Sequence, residues 1–264
     1  MADTPLPQEK PNKSTVRVEP ITKAEDLAAF FDITAATFGR QTNDGIWLAS
    51  NPGWDTSAGR ERAVARLVRQ WSSSASSTDR NGELNKIYLK ATVPRGGGGG
   101  GGEDIAGVAI WIQASMVEGY GERPSSTGHD DADDADDVLY PGNPAEERYV
   151  RQLEASLHRR RLEVLREIAS TSSPSPAVMV LGLCVVHPAF QGQGIATRLV
   201  EWGLGEARRR GGLEAVTEAS SMGRHVYAKL GFWQEGGEIE YLVDEEFRGR
   251  DLPSNVFMRT GRPG

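Results

Sequence analysis

The sequence predicts an α/β (α+β) protein in which a mixed central sheet of about six or seven strands is flanked by helices. Three observations carry that expectation. Val178 to Val186 is a nearly unbroken apolar run with several β-branched residues, long enough for a buried central strand and too short for a typical helix. From Ile195 the period changes: Ile195, Leu199, Val200, Gly203 and Ala207 share one helical face, while Arg198, Glu201 and Arg208 fall elsewhere. Ahead of both, strand-like and helix-like patterns alternate along the chain.

In order, Ser14 to Glu19 alternates Val16 and Val18 with polar neighbours and reads as a first strand. Lys23 to Phe38 reads as a helix. Arg60 to Trp71 reads as a second one, with Val64, Leu67, Val68 and Trp71 as its apolar stripe, and Ser72 to Ser77 ends it. Lys86 to Thr92 and Asp104 to Ala114 form an antiparallel pair joined across Gly96 to Gly102, a glycine run too costly in entropy to cradle a ligand alone. Asn143, Pro144 and Glu146 supply the cap, first position and first-turn acid of a long helix carrying Val150, Leu153, Leu157, Val164 and Ile168, which ends near Ser170. Its Arg159-Arg160-Arg161 side reads as a solvated face, with contact to nucleotide phosphates as the alternative. After Arg208 to Arg210, which suit a negative helix end, Gly211-Gly212 supplies the stop. Trp233 to Val243 and Val256 to Thr260 are the last strands.

The chain reads as one domain over 14–264, with a disordered tail at 1–13 and flexible insertions at 95–103 and 121–142; two smaller domains are the alternative. His129 to Asp137 is a block of like charge that repels itself and lacks the glycine and terminal glutamate of an EF-hand loop, so no calcium site is expected there. No metal-ligand spacing is present elsewhere. The 30 basic and 37 acidic residues give a net charge of −7, which argues against nucleic acid as a main partner but not against a cationic substrate. With no apolar run of membrane length and a polar Met1 to Lys13, no membrane partner is expected and a reducing, cytoplasmic location, with the nucleus as a second one, is the default. Monomer and homodimer both stay open.

Between strand and helix lies Gln191-Gly192-Gln193-Gly194-Ile195-Ala196, where two glycines permit positive φ and clear the backbone amides of a helix start for a phosphorylated ligand. A P-loop would need Gly-Lys-Ser/Thr, which is absent. A dinucleotide fingerprint needs its glycines directly after the strand, whereas His187 to Gln191 intervene and Thr197 replaces the last small residue. A nicotinamide- or flavin-dependent oxidoreductase is disfavoured on that spacing.

The spacing that fits is Gln/Arg-x-x-Gly-x-Gly/Ala behind a strand ending in Val-x-Pro, and in it the chain resembles the GNAT superfamily of acyl-CoA N-acyltransferases. Downstream, Leu213 to Ser220 looks like that family's fifth strand, and Gly223 to Phe232 like its next helix and Tyr-x-x-Leu-Gly-Phe turn. In that frame the chain looks most like fungal GNAT-domain proteins. The resemblance implies a GNAT fold with splayed parallel central strands and acetyl-CoA as co-substrate, without a metal. It implies that pantetheine lies along Leu183, Cys184, Val185 and Val186, and that the pyrophosphate meets Gln191, Gly192, Gln193, Gly194, Ile195, Ala196 and Thr197. The acceptor would be a primary amine of a small molecule or peptide. Trp47, Trp54 and Tyr140 are places to look for its pocket, against the plainer reading of aromatics filling a core.

A thioester is already activated, so the main demands are attack geometry and two proton transfers. The resemblance makes Tyr227 the acid that protonates the departing thiolate; the plainer reading is a core aromatic under the Leu230-Gly231-Phe232 turn. For the base, Glu218 stands at the end of the fifth strand, with a helix-start carboxylate near a Ser220 or Ser221 cap as the alternative. His187 and a water relay are further candidates. Cys184, the sole cysteine, sits among apolar residues that raise a thiol pKa, against a nucleophilic role. A non-catalytic acyl-CoA-binding module remains the competing class.

Overall fold

The structure, a computed structural model, describes residues 16–95, 102–124 and 138–261. The tail expected at 1–13, the acidic run 129–137 and all of the glycine run but Gly102 lie outside the described residues. Seven strands are present among those described: β1 (Arg17–Pro20), β2 (Lys86–Pro94), β3 (Glu103–Ala114), β4 (Val178–Val186), β5 (Glu214–Ser220), β6 (Trp233–Glu238) and β7 (Asn255–Arg259). They form one sheet in the order β1-β2-β3-β4-β5-β7-β6, parallel only between β4 and β5. The helices are α1 (Asp26–Thr34), α2 (Gly45–Ser50), α3 (Ser57–Ser74), α4 (Pro144–Ala169), α5 (Ile195–Arg209) and α6 (Arg224–Lys229).

Each sheet face is covered by the stripes the sequence marks. On one, Ile195, Leu199, Val200 and Ala207 of α5 pack on Leu89, Ala91, Trp111, Met179 and Ala215. Gly203 is required there, because a Cβ at its position would stand 1.9 Å from the ring of the fully buried Trp111. On the other face, Leu27, Phe30 and Ile33 of α1 cover Tyr88, Val108 and Val185, while Val164 and Leu165 of α4 cover Val178, Val180, Val216 and Phe257. The α4 start follows its signal, with Asn143 accepting from the Glu146 N–H at 3.3 Å and Pro144 inside the first turn.

Two irregularities in β4 shape the centre of the molecule. The register against β3 shifts between Ile110 and Trp111, leaving Gly182 as an extra residue. Met179 and Leu181 therefore face the α5 side, Leu183 and Val185 face α1, and Cys184 and Val186 return to the α5 side. The pairing of β4 with β5 covers only Val178 to Val180 against Glu214 to Val216. The Thr217 hydroxyl then donates to the Leu181 carbonyl at 2.9 Å, and the strands part: β4 runs on to Val186 along β3, β5 to Ser220 along β7. The sheet is splayed where its two parallel strands meet.

Several boundaries differ from expectation for physical reasons. The helix expected through Phe38 leaves α-geometry at Ala35 and continues as a wider π-helical stretch, Ala35–Gln41, closed by the Thr42 N–H on the Thr37 carbonyl. The strand expected through Val243 ends at Glu238, since Tyr241 and Val243 turn away to pack with Tyr149, Leu153 and Phe247. Neither Ser220 nor Ser221 caps α6; its cap position is Gly223. Arg160 and Arg161 are not a solvated face: Arg160 pairs with Glu163, Glu167 and Glu235, and Arg161 with Glu218. Among the described residues no helix is long and apolar enough to cross a membrane.

Candidate active site

The gap between β4 and β5 opens into a cavity of about 870 Å³. Its walls are Cys184 to Val186 of β4, the Gln191 turn with the start of α5, Ser220 to Gly223 after β5, and one side of α6. The remaining side is closed by Thr37 and Phe38 of the π-helical stretch, the α2 start and Asp251 to Ser254 before β7. A concave, mostly apolar space with a few converging polar groups is the usual form of a small-molecule site.

Backbone groups dominate two of these walls. The His187 N–H bonds the Ala106 carbonyl of β3 at 2.9 Å, so alternation along the strand turns Val185 to β3 and Cys184 and Val186 to the open edge. An extended ligand can add to that edge as a further strand. The Val186 carbonyl is already taken, by Thr37 Oγ1 at 3.1 Å and Gln191 Nε2 at 3.0 Å. Gln191 also exchanges two amide bonds with Gln41, at 2.9 and 2.8 Å. Its side chain thus clamps the turn, and only its backbone is left for a ligand. Gly192 and Gly194 take φ of 75° and 80°, left-handed values that β-carbon residues rarely adopt, and Gly194 stands immediately before α5. The free amides at that helix start suit phosphate oxygens.

Residues 129–232 match the sequence profile of the Acetyltransferase (GNAT) family. Over that stretch the chain is similar to GNAT acetyltransferases. In fold it is similar to arylalkylamine N-acetyltransferase 2 of Aedes aegypti, at 17% identity and a TM-score of 0.52, covering 92% of this chain and 97% of that one. A polyamine N-acetyltransferase of Drosophila melanogaster gives 12% identity and 0.52, over 92% and 97% of the two chains. The apo form of an agmatine N-acetyltransferase mutant gives 12% and 0.56, over 93% and 98%. No curated protein matches the chain by sequence.

Within this fold the cavity brings together Cys184, Val185, Val186, Gln191, Gly192, Gly194, Ile195, Ala196, Thr197 and Tyr227. Tyr227 is buried, its ring resting where a Gly223 Cβ would come within 2.7 Å, and it shares a hydrogen bond with the Cys184 thiol. Burial, with Cys184 beside it, holds the phenol well above its usual pKa, so it stays protonated. Burial also pushes the Cys184 thiol up to about 12, which leaves it a poor nucleophile.

Seven sequence-predicted residues lie elsewhere. Leu183 faces the opposite side of the sheet, where it lines a second cavity of about 370 Å³ with His158 and Arg161 of α4. Gln193 lines a separate space with Arg198 and Glu201, its Oε1 buried without a partner. Glu218 is a correction: Ala215 and Ala219 face α5, so Glu218 faces α4, where Arg161 Nε donates to it at 3.0 Å. Its side chain is 5% exposed and does not line the main cavity. His187 is likewise outside it, its Nδ1 accepting from the Ala189 N–H at 3.2 Å. Trp47 and Trp54 stack with Phe31 in a core cluster, and Tyr140 donates to the Ala49 carbonyl; none lines the main cavity.

Asp44 is among the cavity residues not anticipated from the sequence. Asp44 lines the cavity at the α2 start, where Oδ1 accepts from the Ile46 and Trp47 N–H groups at 3.1 and 2.9 Å. The visible signal was an aspartate followed by Gly45-Ile46-Trp47, a cap before a helix too short to show a period.

Proposed function

We propose that the protein is an N-acetyltransferase that moves an acetyl group from acetyl-CoA to a primary amine of a small molecule or peptide, by direct attack on the thioester. The observation that supports this most is the parting of β4 from β5 after Val180, which leaves the Cys184 main-chain edge, Tyr227 and the Gln191 turn facing one cavity. These residues fit coenzyme A: a free strand edge for the amides of pantetheine, and helix-start amides opened by Gly192 and Gly194 for the pyrophosphate. Bound there, the co-substrate supplies the activated acyl group. The chain's own work is to hold it straight, to offer an edge N–H to the oxygen as charge develops, and to donate the Tyr227 proton to the departing sulfur. Glu218 is left out of the proton path by its ion pair with Arg161.

The experiment is release of free thiol from acetyl-CoA in the presence of polyamines, arylalkylamines, amino acids and peptides. Amine-dependent release supports the reading. Tight binding of acetyl-CoA with no release by any amine in the panel would favour a non-catalytic acyl-CoA-binding module.

A further inference from the structure

Asp44 is anomalous among the carboxylates of this fold. Glu218 holds Arg161, Glu214 Arg259, Glu206 Arg210 and Asp26 Lys90, while Asp79, buried without an ion pair, accepts on both oxygens from Asn81, Glu83 and Gln113. Asp44 has no ion pair among the described residues, and both of its hydrogen bonds fall on Oδ1. Oδ2 is left without a partner in a residue that lines the same cavity as Tyr227 and Cys184.

Capping alone does not explain a charged group here. Asparagine and serine cap a helix about as well as aspartate. Burial disfavours the ionised form, and it outweighs the two backbone donors in holding Asp44 above the usual carboxylate range. The backbone fixes the group in place: Asn43 before it sits at φ 49°, and Gly45 after it lies so close to the Asp251 carbonyl that a Cβ would come within 2.3 Å. A carboxylate held in an ordinary cap conformation, with one oxygen unpartnered in the wall of the cavity, offers a place for a cation from outside the chain.

We infer that Asp44 receives the ammonium of the acceptor and takes its proton, so that the substrates are primary amines, cationic in water, carried on an apolar body. The inference rests on the acetyltransferase reading above. Phe38, Val226, Leu252 and Pro253 of the same cavity suit the apolar body. Partial burial raises the carboxylate and would lower a bound ammonium, and both changes move the proton from nitrogen toward Oδ2. The free amine pair then forms the C–N bond and the C–S bond breaks. The thiolate takes the Tyr227 proton, and the second proton of the nitrogen returns to the Tyr227 oxygen. Asp44 releases its own proton to solvent, which leaves amide, thiol and one proton. The other titratable groups at the cavity are Asp251 before β7 and His225 and Lys229 on α6, with the Tyr241 hydroxyl behind Asp44.

The test is Asp44→Asn, which keeps the cap and removes the charge. Calorimetry would follow phenethylamine and its neutral analogue 2-phenylethanol into protein saturated with coenzyme A. We expect phenethylamine to bind the variant about 10- to 100-fold more weakly, the usual range for a charge-assisted contact, with 2-phenylethanol unchanged. An equal loss for both ligands, or none for either, would overturn the inference. A wild-type protein that binds phenethylamine through Asp44 yet releases no thiol from acetyl-CoA would sink the transferase reading and leave the ammonium site standing.

Discussion

Replacing Glu218 by glutamine separates two roles that a carboxylate at this strand end can have. Glu218 and Arg161 are 5% and 11% exposed in their side chains, so little solvent screens them and the pair belongs to the buried class. Removing one partner of such a pair leaves the other charge buried and uncompensated, at a cost of about 3–5 kcal/mol; glutamine keeps part of the hydrogen bonding, which puts Glu218→Gln near ~3 kcal/mol. For a chain of this size that corresponds to a fall in Tm of about 6–12 °C. Arg161→Met should cost as much, by stranding Glu218. The double variant Glu218→Met with Arg161→Met removes both charges and should recover most of the loss, since well-packed apolar replacements of buried pairs are often neutral.

The assays are urea unfolding and acetyl transfer measured well below the variant's Tm. We expect kcat within about threefold of wild type for the folded protein, because Glu218 faces α4 and not the reaction cavity. A Glu218→Gln variant that unfolds like wild type but loses about 100-fold or more in kcat would refute this reasoning and return Glu218 to the role of base.

Three further outcomes follow from the same geometry. Gly194→Glu places a β-carbon at a φ of 80° and an anion beside the helix-start amides, so acetyl-CoA binding should be lost in calorimetry while the circular dichroism spectrum is kept. Tyr227→Phe keeps the ring against Phe232 and Gly223 but removes the proton, so kcat should fall about 100-fold with acetyl-CoA affinity unchanged. Asp44→Asn should be more thermostable than wild type at alkaline and neutral pH. Burial raises the folded pKa of Asp44 above its unfolded value, so its ionisation opposes folding: the penalty is absent in acid and sets in as pH rises through the folded pKa. The Tm advantage should therefore shrink as pH falls through the carboxylate range, as read by differential scanning fluorimetry.

What the sequence disclosed follows the range of each signal. Val178 to Val186 and Ile195 to Arg209 were legible because their periods are long and local, and the Gln191 turn because its glycines serve one backbone conformation. Tyr227 was legible through its Tyr-x-x-Leu-Gly-Phe frame and lies in the cavity. Glu218 was misplaced because a strand position names two faces, and the choice between them depends on which helix covers each. Alternation of Ala215, Thr217 and Ala219 set Glu218 on the other face, but only the partner Arg161, fifty-seven positions earlier, gives that face its meaning. Asp44 was missed for a different reason: α2 has six residues, fewer than two turns, and the reaction cavity reaches it only through the packing of Gly45 on the loop before β7.

The bulge at Gly182 and the parting of β4 from β5 act together, and neither suffices alone. Parting exposes a strand edge, but the side chains beside that edge are set by the pleat, which reverses face at every residue. Were Gly182 an ordinary alternating position, with no bulge, Leu183 and Val185 would face the Tyr227 side, and Cys184 would turn toward α1. With it, Cys184 meets the Tyr227 hydroxyl, while Leu183 and Val185 fill the opposite face. The same strand therefore presents its main chain, the Cys184 thiol and Val186 to the main cavity, and turns Leu183 toward the second one. On the proposed reading the chemistry falls to Tyr227 and Asp44, which line this cavity, and not to Glu218, which its pair with Arg161 holds on the α4 side.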